Sequence, residues 1–174
     1  MTSSLQTFII ICNIKNINNN LNKLKIIFLQ LILINEGSYT KIIQYFNNKK
    51  IKINILQKYY NQSNKINRNI RYVWLETSIY TILTFAKSLW LIVNNQELIK
   101  SIKKNFSIGL SFIDNQIDIY KNIYEIYYCY SQKFEKQLNF KGVIFGKKYT
   151  LYYKDCSFIT IQEFFSPNIF FYFI

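Results

Sequence analysis

Two charged residues stand on the apolar parity of strand-like runs, and they restrict this chain more than any other feature. In the run 157–165, Glu163 shares parity with Ile159, Ile161 and Phe165; in the run 68–76, Arg71 shares it with Val73 and Leu75. Strand side chains alternate between faces, so both charges are expected to point inward. An isolated buried ion is costly, so an inward Arg and an inward Glu must meet each other, a ligand or a polar network. A structural ion pair meets that demand as well as a binding site does, and alternation leaves both open.

The 174 residues suit one domain, and a hydrophobic content of 50% is enough to build its core. Ile, Asn, Lys, Tyr and Phe are abundant, whereas Ala86 is the only alanine, Pro167 the only proline, and Arg68 and Arg71 the only arginines. Such usage follows A/T-rich codons and points to an organelle or another AT-rich genome. The same bias inflates lysine, so the net charge of +13 argues only weakly for a polyanionic partner.

The chain has no histidine, which excludes Ser-His-Asp and Cys-His catalysis and every His metal ligand. Cys12, Cys129 and Cys156 are odd in number and lack CxxC spacing, so neither a disulfide framework nor a zinc site is expected. The apolar runs 26–34 and 79–93 fall short of the roughly 20 residues of a spanning helix, and Lys87 interrupts the second. No membrane span is expected, nor do the first residues read as a secretory signal or a transit peptide.

Residues 1–23, which include the Asn- and Lys-rich stretch 13–23, read as a lead-in to a single domain over 24–174. Residues 24–34 are apolar nearly all round, as in a buried helix. Glu36-Gly37-Ser38 then offers a terminating Gly and an N-cap Ser for a second helix over 39–46. Strands are expected at 51–60, 68–77, 79–90, 117–130, 144–153 and 157–165. Two of them form a hairpin around Thr77-Ser78, and the last two turn at Lys154-Asp155-Cys156. A helix is expected at 95–103, and Gly109 stands in an irregular stretch, 106–112, where backbone can approach a ligand. Helices, three strands, a helix and three strands fit an antiparallel α+β sheet.

Other signals are weaker. The stretch 142–147 imitates a phosphate loop but is one residue short and has no Ser or Thr after Lys147. Lysines interleaved with aromatics at 147–149 and 152–154 suit a nucleic-acid surface and a solvated strand face equally. Lys87 shares parity with Phe85 and Leu89, as a binding group or as a lysine snorkelling at the sheet rim. Glu125 is flanked by same-parity Ile123 and Tyr127 in a run that gives no reliable face.

Taken in order, Glu36-Gly37-Ser38-Tyr39-Thr40, Arg71-Tyr72-Val73-Trp74-Leu75, Phe85-Ala86-Lys87-Ser88-Leu89-Trp90, Ser107-Ile108-Gly109, Phe145-Gly146-Lys147 and Glu163-Phe164-Phe165-Ser166-Pro167 resemble the chorismate lyase family, most closely its cyanobacterial and plastid-encoded branch. The resemblance spans about residues 24–167 and rests on the order of these segments rather than on any one. It implies a six-stranded antiparallel sheet with helices on one side and elimination of pyruvate from chorismate to give 4-hydroxybenzoate, without a cofactor. Arg71 would hold the ring carboxylate, Glu163 would contact the 4-hydroxyl, and the amide of Ile108, beside Gly109, would support the carboxylate. Tyr39 and Thr40 would belong to a flap over the pocket, and Lys87 is counted with the binding residues. The same resemblance implies a plastid protein acting on a small molecule; a monomer is expected, and no specific nucleic-acid partner, since no RNP-type or helix-turn-helix signature is present. Tyr72, Lys147 and Ser107 depart from the family's usual Glu, Arg and Pro; Lys for Arg keeps the charge but loses the bidentate fork. A catalytically silent ligand-binding relative and a basic organelle RNA-binding protein are the competing readings.

Overall fold

The computed structural model describes residues 6–13, 27–47, 51–62, 66–77, 81–93, 102, 106–154 and 157–172. One antiparallel sheet of seven strands organises them: β1 (Gln6–Asn13), β2 (Lys52–Gln62), β3 (Ile66–Glu76), β4 (Ile82–Val93), β5 (Tyr120–Ser131), β6 (Ile144–Tyr153) and β7 (Ser157–Phe165). Their order across the sheet is β1-β5-β6-β7-β4-β3-β2. The helices are α1 (Ile27–Ile34), α2 (Tyr39–Asn47), α3 (Ile108–Asp114) and α4 (Gln132–Leu138), and a 3-10 turn at Pro167–Tyr172 follows β7.

The six expected strands are β2 to β7, and the antiparallel α+β architecture is the anticipated one. Three features differ. The lead-in expected over residues 1–23 contains β1, which pairs antiparallel with β5 from Gln6 opposite Ser131 to Asn13 opposite Glu125. A short apolar run at the edge of a sheet needs only one partner strand, and β5 supplies it. The stretch 106–112, read as irregular, is largely helical, because Ser107 caps α3 and its hydroxyl accepts from the Leu110 amide. A fourth helix, α4, follows Ser131, whose side chain accepts from the Phe134 amide. The helix expected at 95–103 lies outside the described residues except for Ile102, as do Ser78, Cys156 and the Asn-rich residues 14–23.

Alternation divides the sheet into two unlike faces. On the inner face, Leu29, Ile32 and Leu33 of α1 and Tyr39 and Ile43 of α2 pack onto Val73, Leu75 and Phe165. Beside them, Ile108 and Phe112 of α3 pack onto Trp90, Ile159 and Ile161. Only one side of α1 is covered, since Leu31 is 53% exposed; apolar residues all round did not make a helix buried all round. On the outer face, Phe134 and Leu138 of α4 close over Phe85, Phe164 and Tyr127.

Candidate functional site

The inner face, the first turn of α3 and the α1–α2 turn enclose a cavity of about 490 Å³. The α1–α2 turn is fixed by its own side chains. Asn35 bonds Gly37 twice, as acceptor from its amide and as donor to its carbonyl, each at 3.0 Å. Ser38 then caps α2, accepting from the Lys41 amide. Gly109 brings α3 against this turn, for a Cβ there would stand 3.1 Å from Ser38 Oγ and 3.2 Å from Ser38 Cβ. The close approach that glycine permits is to Ser38, a contact between two walls of the cavity.

Glu163 is buried on β7 and lines the cavity. Its Oε1 accepts a 2.9 Å hydrogen bond from the Tyr149 hydroxyl, and its Oε2 stands 3.8 Å from Lys147 Nζ. Antiparallel pairing of β6 with β7 sets Lys147 directly opposite Glu163. Lys147 is wholly buried, and its ammonium also donates to the Ile32 carbonyl at 2.8 Å and the Asn35 carbonyl at 3.3 Å, tying the end of α1 to the sheet. Burial pulls its pKa down to about 7 against the opposing pull of the Glu163 carboxylate. Burial, reinforced by the Glu163 charge, pushes the Tyr149 hydroxyl well above its ordinary value.

The other end of the Glu163 segment is held from the outer face. Tyr127 donates its hydroxyl to the Glu163 carbonyl at 3.0 Å across Gly146, where a Cβ would run into both the Tyr127 ring and that carbonyl. The glycine of the false phosphate loop therefore serves the tyrosine that pins the catalytic candidate's backbone.

Tyr39, Thr40, Ile108 and Gly109 all line the cavity. Tyr39 and Thr84 share a 2.6 Å hydroxyl hydrogen bond, which fixes α2 to β4. Burial drives the Tyr39 hydroxyl far above its ordinary pKa.

Two of the expected site residues do not line the cavity. Lys87 is not at the cavity: it pairs with Tyr72 and Gln162, shares the outer face with Phe85, and is absent from the lining. Parity grouped it correctly with Phe85 and Leu89, but that apolar face is the one turned away from the site. Arg71 is fully buried on the inner face, yet it is not among the lining residues. Its Nη2 donates to the Phe106 carbonyl and its guanidinium lies 5.8 Å from the centre of the Trp90 ring. It stands behind the wall, opposite Ser88 and two residues from Val73, both of which do line the cavity. Ser88 receives the Trp90 indole N–H at 2.7 Å, so Arg71 is packed into an ordered network.

Tyr149 and Lys121 were not expected at the site, and Lys147 only as a departure from the family's usual Arg. The signal for two of them was present: with the turn at 154–156 recognised and Tyr153 opposite Ser157, counting back along β6 puts Lys147 opposite Glu163. Lys147 and Tyr149 face inward, so of the lysine–aromatic stretch 147–149 only Lys148 turns outward, 3.5 Å from Glu125. Lys121 lines the cavity, donates to the Asn35 carbonyl at 2.8 Å and lies 4.2 Å from the centre of the Tyr149 ring. Burial lowers its pKa.

With this geometry in hand, comparison with known proteins is decisive at the level of family. The family described as chorismate pyruvate-lyase Rv2949c-like matches residues 33–172. The chain belongs to that family. Among relatives of this lyase-family chain, the uncharacterized protein ycf21 of Antithamnion sp. is 42% identical over 158 residues, covering 90% of this chain and 88% of its own length. The ycf21 proteins of Porphyra purpurea and Cyanophora paradoxa are 34% and 30% identical, covering 79% and 80% of this chain and 80% and 77% of theirs. Among solved structures, the gene product SA0254 of Staphylococcus aureus aligns at a TM-score of 0.48 with 11% identity, covering 78% of this chain and 92% of its own. None of the described helices of this family member is long and apolar enough to cross a membrane.

Proposed function

We propose that this family member is a plastid chorismate pyruvate-lyase, eliminating pyruvate from chorismate to give 4-hydroxybenzoate. The observation that carries the reading is the buried Glu163 carboxylate in the cavity wall, oriented by Tyr149 and faced by Lys147. The cavity volume of about 490 Å³ lies in the range of small-molecule sites, and its walls are mostly apolar with a few convergent polar groups. The ycf21 relatives from algae accord with the A/T-biased composition and with a plastid setting.

The reaction removes the proton from C4 and breaks the C3–O bond, whose electron pair leaves with the enolpyruvate oxygen. The ring becomes aromatic, and the enolpyruvate takes up a proton and tautomerises to pyruvate. Aromatisation supplies much of the driving force, so the protein's task is to orient and desolvate the substrate. Glu163 accepts a hydrogen bond from the C4 hydroxyl and fixes the ring in register with its Tyr149-bound carboxylate. The first-turn amide of Ile108 and, beyond it, Arg71 are assigned to the ring carboxylate. Arg71 stands behind the lining residues, and exchange of its Phe106 bond for a carboxylate would bring its planar fork to the ligand.

One observation favours a second reading, binding without turnover: the Arg71 guanidinium is bonded to the Phe106 carbonyl and lies behind the wall. Incubating the purified protein with chorismate and following pyruvate and 4-hydroxybenzoate tests the first reading. Release of both in equal amounts supports it. Tight 4-hydroxybenzoate binding with no product from chorismate would leave the silent binder.

A further inference from the structure

Among the described residues that line the cavity, Lys121 is the one cation. Its ammonium shares the Asn35 carbonyl with that of Lys147, at 2.8 Å and 3.3 Å, and Lys147 in turn stands 3.8 Å from Glu163. Lys121 also lies over the face of the Tyr149 ring, whose hydroxyl donates to Glu163. Lys121 and Glu163 are thus set at the face and the hydroxyl of one tyrosine. In the sheet, β5 with Lys121 lies two strands to one side of β7 with Glu163, and β3 with Arg71 lies two strands to the other.

Chorismate carries two carboxylates arranged about its C4 hydroxyl. The ring carboxylate is para to that hydroxyl; the second is on the enolpyruvyl ether at the adjoining carbon, C3. With Glu163 at the C4 hydroxyl and the ring carboxylate directed toward Ile108 and β3, the enolpyruvyl group extends toward β5. We propose that Lys121 holds the enolpyruvyl carboxylate and so selects the dianionic substrate over an aromatic monoanion. This inference rests on the lyase reading above.

An ammonium has three donors, so its bond to Asn35 leaves donors for an incoming anion. Glu36 and Asp118 line the cavity too, but both are exposed and screened by water and salt. A carboxylate in contact would offset the desolvation that lowers the Lys121 pKa.

The test compares wild type, Lys121→Met and Lys121→Arg in steady-state turnover of chorismate and in calorimetric titration with 4-hydroxybenzoate, which lacks the second carboxylate. For Lys121→Met, the KM for chorismate rises about 10- to 100-fold, as for the loss of one charge-assisted bond, and kcat falls less than KM rises. Its affinity for 4-hydroxybenzoate stays within about twofold of wild type, which also shows that the variant folds. Lys121→Arg restores most of the KM. An unchanged KM in Lys121→Met, or an equal loss of chorismate and 4-hydroxybenzoate binding, overturns this inference and leaves the lyase reading intact. A wild type that neither converts nor binds chorismate overturns both.

Discussion

The two faces of the sheet carry the same strands and solve opposite problems. On the outer face, Phe85, Phe164, Phe134 and Tyr127 meet as rings, with Phe134 and Phe164 centred 4.4 Å apart and Phe85 and Phe164 5.9 Å apart. On the inner face, one residue along each strand, the chain buries Arg71, Lys147 and Glu163. The aromatic face contributes stability through apolar area and ring contacts. The charged face costs desolvation, which its hydrogen bonds and ion pairs offset in part. Tyr127 and Gly146 join the two, since the outer-face tyrosine reaches through the glycine gap to the Glu163 carbonyl. The scaffold for function is held from behind: the aromatic cluster of the outer face fixes the backbone on which the buried ions of the inner face are displayed.

The largest test of that division is Phe164→Ala. Truncating a buried ring on the outer face is expected to cost about 3–5 kcal/mol in urea unfolding. Affinity of the folded fraction for 4-hydroxybenzoate should stay within about twofold. A collapse of ligand binding in protein that is still folded would break the separation between faces.

Next is its neighbour on the opposite parity. Glu163→Gln keeps shape and an acceptor for Tyr149 but removes the charge, and is expected to lower kcat/KM for chorismate by about 10²- to 10³-fold. Its unfolding free energy should fall by about 3 kcal/mol at neutral pH, because Lys147 is left buried without its counter-charge. Full activity in the variant would reduce Glu163 to a structural partner of Lys147.

Lys147 sharpens the comparison through pH. The group binds a proton up to pH 10.5 in the unfolded chain and only up to about 7 in the fold. Between those values the unfolded state holds the extra proton, so this lysine makes stability rise with pH across the window, and its burial cost is fully present below it. The slope contributed is at most about 1.4 kcal/mol per pH unit. Lys147→Met should remove it, so the stability gap between variant and wild type changes steadily from pH 7 to pH 10. A gap that is constant over that range would mean that Lys147 stays charged throughout.

The smallest expected effect belongs to Tyr149→Phe, which deletes the 2.9 Å hydrogen bond to Glu163 Oε1 and little else. One neutral donor to a carboxylate is worth about a 2- to 10-fold change in kcat/KM. No change at all would show that Lys147 alone orients the carboxylate.

Local sequence determines much of this protein. Period-2 alternation put Arg71 and Glu163 on the inner face, because the geometry of a strand is local and does not depend on its partners. The cap at Ser38, the turn glycine before it and the six strands β2 to β7 followed from equally local preferences. Tertiary structure decided what local rules leave open. Which of two apolar faces becomes the inner one depends on where helices land, and this sent Lys87 to the far side with Phe85. Which residue stands opposite Glu163 depends on register, and this made Lys147 its partner. Whether a buried cation reaches the cavity depends on the side chain and carbonyl packed in front of it, and the Phe106 carbonyl and Trp90 keep Arg71 behind the wall. The recruitment of β1 was decided the same way, since the short segment Gln6–Asn13 carries no instruction to pair beyond the open edge that β5 presents to it.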